Sequence, residues 1–236
     1  MSSSPEFLHW DISRLSEAIR DKQVSPVEVI RSLLERIEQL NPVLNAFITV
    51  MAEEALAGAI QAEQEIMKGN WRGPLHGVAV GLKDVIYTKD IRTTMGTNIF
   101  ENFVPDYDAT VVERLKQDGA IIIGKLNTHY FAYGPTGDRS DFGPVKNPHH
   151  LRKISGGSSS GSGAAVASGL CYAAIGTDSG GSIRIPASCC GIVGMKPTFG
   201  LVSKYGVFPI SWSLDHLGPM TRSVRDNALL LNALAG

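Results

Sequence analysis

Two clusters of glycine and serine decide the fold of this chain: Gly156-Gly157-Ser158-Ser159-Ser160-Gly161-Ser162-Gly163 and Gly176-Thr177-Asp178-Ser179-Gly180-Gly181-Ser182-Ile183-Arg184. Ser158 in the first cluster and Ser182 in the second lie 24 residues apart. Glycine lets backbone N–H groups approach a substrate closely, and serine supplies a hydroxyl small enough to attack it. The pattern therefore favours a site of nucleophilic catalysis built from both clusters.

A flexible linker and a membrane span are two alternatives for the first cluster. The residues that follow, Ala164 to Leu170, are small and apolar as in a closely packed helix, and Cys171–Thr177 is typical of a short buried strand. Residues 154–177 carry no charge but hold too many serines and glycines for a span, and Met1-Ser-Ser-Ser-Pro5 is unlike a signal peptide. We therefore expect a folded, soluble chain.

The composition excludes several classes of function. The chain has 236 residues, a hydrophobic fraction of 43% and a formal net charge of −1, which is ordinary for a globular protein. This charge offers no attraction to nucleic acid or to an anionic membrane surface. Cys171, Cys189 and Cys190 are too few and too poorly spaced for a disulfide framework or a zinc site, so we expect reduced thiols in the cytoplasm.

Hydrophobic periodicity predicts helices first, then an alternation of strands and helices. The early helices are Ile12–Asp21, Pro26 to about Leu40 with Ser25 as N-cap, and Ala52–Lys68. The later strands are Val78–Leu82, Ala120–Ile123, Ala173–Thr177 and Ile192–Lys196, and the later helices are Thr110–Asp118 and Val224–Leu234. Such alternation predicts an α/β sheet with helices on both faces.

One further string, Gly119-Ala-Ile-Ile-Ile-Gly124-Lys125-Leu126, nearly matches a nucleotide-binding P-loop. Leu126 stands where a serine or threonine would coordinate magnesium. Ile121–Ile123 is typical of a strand and not of a loop around phosphate. Nucleotide binding is therefore not expected.

The string Gly157-Ser-Ser159-Ser-Gly161 also fits the nucleophile elbow of α/β-hydrolases, which makes an esterase of that type an alternative. The elbow needs an apolar strand before it and a histidine after it. Here His149–Ile154 predicts a polar loop, and the one later histidine is His216. A cysteine hydrolase built on Cys189 or Cys190 is a weaker alternative, because adjacent cysteines are commonly small core residues.

Lys83 is singled out by its position in the chain. It ends the apolar strand Val78–Leu82, and the carboxyl ends of strands are where α/β sites gather. Neighbouring Asp84 would raise the pKa of this lysine if the two side chains met. Neighbours on a strand point to opposite faces, so they need not meet.

Long strings of sequence resemble the amidase signature family, from about residue 12 to the end. They are Gly73-Pro-Leu-His-Gly77, Gly81-Leu-Lys-Asp84, Asp108-Ala-Thr-Val-Val-Glu-Arg-Leu115, Gly119-Ala-Ile-Ile-Ile-Gly-Lys125, Asn147-Pro148, Gly180-Gly-Ser-Ile-Arg-Ile-Pro-Ala187, Gly194-Met-Lys-Pro-Thr198 and Gly218-Pro-Met-Thr-Arg222. The resemblance implies an α/β/α fold with a mixed central sheet. It also implies an amidase that hydrolyses a carboxamide C–N bond of a small molecule, with no metal and no organic cofactor.

The resemblance further implies the roles of the site residues. Ser182 is the nucleophile, Ser158 is a bridging serine that follows a cis peptide bond, and Lys83 is the base. Lys83 can act as a base only when neutral, which burial among apolar strand residues favours. The backbone N–H groups expected to form the oxyanion hole are those of Ser179, Gly180, Gly181 and Ser182.

The chain departs from the family pattern at three places. Ser160 replaces a glycine of the first cluster, which tightens the loop, and Ser179 stands where a threonine is usual. The glutaminase subunit of the glutamyl/aspartyl-tRNA amidotransferase, which is a similar member, carries Gly-Ser-Ser-Thr-Glu-Asn where this chain has Gly134-Pro-Thr-Gly-Asp-Arg139. This difference favours a stand-alone amidase.

The glutaminase subunit of a tRNA-dependent amidotransferase, with its partner subunits, is the open alternative. A homodimer is another assembly to consider. A non-catalytic scaffold is disfavoured, because Lys83, Ser158 and Ser182 are all present.

For the domain organisation, we expect residues 1–70 to form a helical segment packed on the core and residues 71–236 to form the N-terminal part of the catalytic domain. By the resemblance, family members continue for about as long again after Gly218-Pro-Met-Thr-Arg222. That later half adds strands to the sheet and a wall to the pocket. We therefore expect a truncated domain, with the triad assembled and the pocket open on one side.

Overall fold

The computed structural model describes residues 5–236, so residues 1–4 of the N-terminal stretch discussed above lie outside the described residues. The helices are α1 Ile12–Arg20, α2 Pro26–Leu44, α3 Ala52–Met67, α4 Thr110–Gln117, α5 Ser160–Ala167, α6 Arg184–Cys190 and α7 Val224–Leu234. The strands are β1 Phe47–Val50, β2 Ala79–Lys83, β3 Ile121–Leu126, β4 Lys146–Asn147, β5 His150–Ile154, β6 Ala173–Asp178, β7 Val193–Gly194 and β8 His216–Thr221.

A mixed sheet with the strand order β1-β3-β2-β6-β8-β7 forms the centre of the molecule. β2 pairs in parallel with β3 and with β6, whereas β1, β8 and β7 join the sheet antiparallel. Helices cover both faces, so the predicted α/β class is confirmed: α5 packs on β2, β3, β6 and β8, and α7 packs on β7 and β8. Parallel pairing brings the carboxyl ends of β2, β3 and β6 to one edge of the sheet, where α/β sites gather.

The three parallel strands are apolar because they are covered from both sides. Every residue of β2, β3 and β6 is buried. Strands buried on both faces have nearly continuous apolar sequences, which is why these three were predictable. The same burial draws Lys83 at the end of β2 and Lys125 near the end of β3 into the core.

The second helix is longer than predicted. It was expected to end near Leu40, before Asn41-Pro42, but α2 continues through Pro42 to Leu44. Pro42 lies on the exposed side of the helix, and Leu44 is buried in the core. The helix ends at Asn45, whose φ of 55° is left-handed and whose N–H donates to the carbonyl of Asn41. Burial of the last turn thus outweighs the backbone hydrogen bond that proline cannot donate.

The sequence patterns did not predict several strands correctly. The predicted polar loop at His149–Ile154 is wrong, because β5 pairs there with β4. All residues of β5 are exposed, so the strand has no apolar pattern that would mark it. The predicted strand Ile192–Lys196 shortens to Val193–Gly194. β8 was missed because Pro219 and Gly218 interrupt its apolar pattern. Pairing with β6 along its whole length holds β8 in the sheet.

The core joins the N-terminal helices to the sheet. One cluster of buried apolar side chains runs from Phe7 and Ile12 through Val80 and Ile175 to Leu234. Within residues 5–236, no helix combines the length and the apolar character needed to cross a membrane.

Gly124 lies where β1 and β3 approach each other closely. A Cβ at Gly124 would lie 2.5 Å from the carbonyl oxygen of Thr49, so the backbone of β1 must shift. We expect Gly124→Ala to lower the free energy of unfolding by about 1–3 kcal/mol, measured by urea denaturation. Gly58→Ala is the matched control, because a Cβ there meets only Ile121 side-chain atoms, the nearest at 3.8 Å. A helix interior favours alanine over glycine, so Gly58→Ala should be neutral or stabilising, and equal losses would contradict this account.

Candidate active site

Lys83 ends β2 with a fully buried side chain. Its Nζ donates one hydrogen bond to Ser158 Oγ at 2.7 Å and another to Thr177 Oγ1 at 2.7 Å. Burial lowers the pKa of Lys83 to about 7, although the negative charges of Asp178 and Asp215 act in the opposite direction. Near neutral pH, much of Lys83 is therefore a neutral amine, which can accept a proton.

The carboxylate of the neighbouring residue, Asp84, contacts a different lysine. Asp84 Oδ1 lies 3.5 Å from Lys125 Nζ, and Thr94 donates to Asp84 Oδ2 from both its N–H and its hydroxyl. Lys125 Nζ also donates to Thr93 Oγ1 at 2.6 Å. As expected for neighbours at a strand end, Lys83 and Asp84 contact different partners. Asp84 is thus not the counter-ion of Lys83.

Ser158 lies in the loop between β5 and α5 and is completely buried. A cis peptide bond joins Gly157 to Ser158, in agreement with the expectation from the resemblance. The carbonyl of Ser158 accepts hydrogen bonds from the N–H of His129 at 3.1 Å and from Thr128 Oγ1 at 3.0 Å. These bonds fix the serine backbone against the segment that follows β3.

Ser182 lies in the turn between β6 and α6 and is half-buried. Its carbonyl accepts the N–H of Ser159 at 3.1 Å, so the two glycine and serine clusters are joined through their backbones. Both hydroxyls lie in the described part of the chain, yet no hydrogen bond joins Ser158 Oγ to Ser182 Oγ. Of the two contacts expected of Ser158, the structure thus contains the one with Lys83 and lacks the one with Ser182.

The turn before Ser182 is organised by the carboxylate of Asp178. Asp178 Oδ1 accepts the N–H of Gly181 at 2.8 Å, and Oδ2 accepts the N–H of Ile183 at 3.1 Å. Arg184 also bonds this carboxylate, with its Nη2 at 2.9 Å from Oδ1. Gly181 has a φ of +129°, a conformation that favours glycine.

These bonds narrow the expected oxyanion hole. The N–H of Gly181 is already engaged by Asp178, whereas those of Ser179, Gly180 and Ser182 donate no hydrogen bond within residues 5–236. A Cβ placed on Gly180 would meet no atom within 4 Å, so the space in front of this residue is open. The N–H groups that remain available to a substrate oxygen are thus those of Ser179, Gly180 and Ser182.

A cleft of about 490 Å³ lies in front of Ser182. Its walls are mostly apolar and come from the segment after β3, from α6 and from the loop before β8. The lining residues are Ala132, Tyr133, Gly134, Pro135, Ser179, Gly180, Ser182, Ile185, Ile210, Ser211 and Leu214. A substrate carbonyl in this cleft would be next to both the Ser182 hydroxyl and the free N–H groups.

The alternative base is His216, and the alternative nucleophile is Cys190. The ring nitrogens of His216 lie 2.6 Å from the carbonyl oxygen of Leu214 and 3.2 Å from Lys196 Nζ, and within the described residues neither is bonded to a serine hydroxyl. Burial raises the pKa of the Cys190 thiol to about 12, which leaves it protonated and unreactive. The geometry therefore supports neither the elbow histidine nor a cysteine nucleophile at Cys190.

Two contributors to the site were not predicted. The hydroxyl of Thr177 accepts a hydrogen bond from Lys83. Thr177 belongs to the second glycine and serine cluster, and the alternation of side chains along a strand could have indicated which face of the sheet it occupies. Asp215 lies far along the chain and bonds Ser179 Oγ. No local sequence signal marks Asp215 as the partner of Ser179, because the pairing of β6 with β8 brings these two residues together.

Comparison with known proteins bears on the same residues. The family model described as Amidase matches residues 28–236. The chain belongs to the amidase signature family. The resemblance that the sequence strings indicated is thus confirmed, and the mixed α/β/α sheet is the fold of its structural neighbours.

Relatives within this family include different activities. A glutamyl-tRNA(Gln) amidotransferase subunit of Geobacter metallireducens is 52% identical over 231 residues, which are 98% of this chain and 47% of that protein. The native peptide amidase of Stenotrophomonas maltophilia is 39% identical with a TM-score of 0.93, over 98% of this chain and 49% of that one. The corresponding glutamyl-tRNA(Gln) amidotransferase subunit of Thermotoga maritima is 38% identical with a TM-score of 0.83, over 98% and 48%. The chain spans about half the length of the curated relatives it matches.

Replacing Lys83 should change how stability depends on pH. Lys83 has a pKa of about 7 when folded, against an ordinary value of 10.5. Between these pH values the unfolded chain binds more protons, so the free energy of unfolding rises with pH by up to about 1.4 kcal/mol per pH unit. Methionine binds no proton. We therefore expect wild type to gain more stability than Lys83→Met between pH 7.5 and 9.5, measured by urea denaturation.

The matched control for this measurement is Lys153→Met, at an exposed position of β5. It should leave the pH dependence of wild type unchanged. Parallel stability curves for wild type and Lys83→Met would contradict a neutral, buried Lys83.

Proposed function

We propose that this protein hydrolyses a carboxamide C–N bond through an acyl-enzyme on Ser182, with Ser158 as the proton relay and Lys83 as the base. One observation carries the proposal. A fully buried lysine amine with a lowered pKa bonds Ser158 Oγ, and Ser158 lies in the loop that is bonded to the backbone of Ser182. An amide is a poor electrophile, so its attack needs both an activated serine and a stabilised oxyanion.

Acylation begins when Ser182 Oγ attacks the carbonyl carbon and the carbonyl π electrons move to oxygen. The proton of Ser182 passes to Ser158 Oγ as the proton of Ser158 passes to Lys83 Nζ. A neutral lysine amine has two protons and one lone pair. Because Thr177 Oγ1 accepts one of its N–H bonds, the lone pair can be directed to Ser158. The N–H groups of Ser179, Gly180 and Ser182 stabilise the negative oxygen.

Breakdown of the tetrahedral intermediate uses the same relay in reverse. The proton on Lys83 returns through Ser158 to the leaving nitrogen, the C–N bond breaks, and ammonia or an amine departs. Water then attacks the ester on Ser182 and gives its proton to the relay. The second tetrahedral intermediate releases the carboxylate and restores the Ser182 hydroxyl.

The type of amidase is the second part of the proposal, and we favour a stand-alone enzyme. The TM-score is higher for the Stenotrophomonas maltophilia peptide amidase than for the Thermotoga maritima amidotransferase subunit, 0.93 against 0.83, at nearly equal identity. The identity of 52% with the Geobacter metallireducens subunit favours the alternative, a glutaminase subunit that works with partner subunits. For either form we propose a small-molecule amide as the substrate and the cytoplasm as the location.

A local contact also supports the stand-alone form. Gly137 has a φ of 76°, and a Cβ there would lie 2.5 Å from the Cβ of Ser160. The amidotransferase pattern has a threonine at the position of Gly137, and the common family pattern has a glycine at that of Ser160. The two departures compensate each other, because the side chain that is lost at Gly137 makes room for the one gained at Ser160. The loop beside Ser158 is thus packed differently from that pattern.

Serine and lysine variants test the mechanism in protein expressed from its complete gene. We expect Ser182→Ala to lower amide turnover by at least about 10³-fold, with a similar loss for Lys83→Met, a smaller one for Ser158→Ala, and no additivity among them, since the three act as a unit. Turnover is measured as ammonia release from propionamide, benzamide, glutamine and asparagine. Release from glutamine alone, and only with partner subunits present, would favour the amidotransferase form.

Ser203→Ala is the control for these variants, because Ser203 bonds Thr110 Oγ1 away from the cleft. A fluorophosphonate adds an independent measurement, since Ser182 Oγ displaces fluoride from phosphorus and keeps the phosphonyl group, which mass spectrometry locates. Near-normal turnover of Ser182→Ala, or a label on another residue, would overturn the proposal.

The pH dependence of the rate is expected to report Lys83. Because Lys83 accepts a proton only when neutral and its pKa is about 7, kcat/KM for the best amide should rise through neutral pH and level off above about pH 8. A carboxylate base would be saturated well below pH 6. A flat profile from pH 6 to 9, with chemistry rate-limiting, would count against a lysine base.

A further inference from the structure

Asp215 bonds two segments that line the cleft. Its Oδ1 accepts the hydroxyl of Ser179 at 2.5 Å, and its Oδ2 accepts the backbone N–H groups of Ile210 at 2.8 Å and Ser211 at 2.9 Å. Ser179 belongs to the turn that carries the free N–H groups. Ile210 and Ser211 belong to the segment before β8, which also lines the cleft. One half-buried carboxylate thus joins two segments that are more than 30 residues apart in sequence.

The β6–β8 ladder ends at the pair Asp178 and His216, and the N–H of Asp215 donates to the carbonyl of Ser211 at 2.9 Å. Within the described residues, the Asp215 carboxylate is the one group that bonds both Ser179 and the Ile210–Ser211 segment. The Asp178 carboxylate holds the far side of the turn, at Gly181 and Ile183. The near side, at Ser179 and Gly180, has no N–H bond of its own within the described residues. Hydrogen bonds to a charged acceptor are the stronger kind, so three of them on one carboxylate can define this geometry.

We propose that Asp215 is a positioning residue that holds the Ser179–Gly180 turn and the Ile210–Ser211 wall at the separation needed for the substrate oxygen to reach the N–H groups. The inference rests on the proposed function. A displacement of about 1 Å in an active site can cost about 100-fold in rate, and removing one oxyanion donor costs about 100-fold to 1000-fold. Ser179 contributes through its hydroxyl, which bonds Asp215, as well as through its backbone N–H.

The charge of Asp215 gives the proposal a readout that a purely structural residue lacks. The negative charges of Asp178 and Asp215 raise the pKa of Lys83, and the charge of Lys83 lowers the pKa of His129, which lies on the segment after β3. The Asp178 charge is compensated by Arg184, whereas Asp215 has no ion pair within the described residues. Lys204 and His216 line the small cavity beside Asp215. Removing the Asp215 charge should thus make Lys83 easier to deprotonate.

Asp215→Asn is the test variant, measured by the rate of labelling of Ser182 with a fluorophosphonate at pH 5.5 to 9, in protein expressed from its complete gene. We expect the rate above pH 8 to fall about tenfold to 100-fold. We also expect the acid limb of the profile to move to lower pH, so that the loss is smaller at pH 6 than at pH 8.5. With the best amide of the panel, kcat should fall more than KM rises.

Asp141→Asn is the matched control. Asp141 also joins loop segments through three hydrogen bonds, from the N–H of Asn98, Thr97 Oγ1 and the hydroxyl of Tyr130, but none of these residues lines the cleft. Its labelling rate should stay within about twofold of wild type, with the acid limb unmoved. An Asp215→Asn profile that matches that of Asp141→Asn would overturn the inference.

The hydroxyl of Ser179 provides a second measurement that does not depend on the folding of Asp215→Asn. Ser179→Ala removes one of the three bonds and should slow labelling, whereas Ser179→Thr keeps the hydroxyl and should be slowed less than Ser179→Ala. Asp215→Asn should cost less in the Ser179→Ala background than in wild type, since the two residues share a bond. Equal rates for Ser179→Ala and wild type would overturn the inference. Wild type that neither labels nor turns over any amide would instead overturn the proposed function.

Discussion

The burial of the Lys83 amine is the constraint on which the site depends. β2 lies in the middle of the sheet, between β3 and β6, and all of its residues are buried. A charged ammonium in such a place is strongly penalised, so the neutral form becomes accessible near pH 7. The only polar groups within hydrogen-bond reach of Nζ in the described structure are the hydroxyls of Ser158 and Thr177. A sheet built of apolar strands thus turns an ordinary lysine into a candidate base.

Close approach of backbones is the second constraint, and it explains why glycines surround Ser158. A Cβ on Gly157 would lie 2.7 Å from the carbonyl oxygen of Gly134, and one on Gly161 would overlap the carbonyl oxygen of Ala46. Ser160 fits beside Gly137 only because that residue lacks a side chain. The sequence-based expectation that Ser160 tightens the loop stays a prediction, and the structure shows that the absence of a side chain at Gly137 leaves room for Ser160.

Local patterns predicted the parts of this structure that depend on near neighbours. Strands β2, β3 and β6 follow from continuous apolar runs, and α7 follows from its periodicity. Lys83, Ser158 and Ser182 could be named because they stand in or next to distinctive strings. Thr177, Asp215 and strand β8 could not be given their places, because those depend on contacts across the sheet. Pro219 is buried within β8, although proline disfavours the interior of a sheet.

The two buried lysines show how the surroundings of one chemical group decide its role. Lys125 lies on the strand next to Lys83, and burial lowers its pKa as well, to about 8. It has a carboxylate, Asp84, at 3.5 Å and donates to the carbonyl oxygen of Ile86 and to Thr93 Oγ1, so its proton is held by acceptors. Within the described residues, Lys83 bonds hydroxyls alone, without a carboxylate or a carbonyl oxygen, and a hydroxyl can give a proton as well as accept one. Lys125 is therefore suited to holding loop 86–93 on the sheet, whereas Lys83 is suited to receiving the proton that an attacking serine loses.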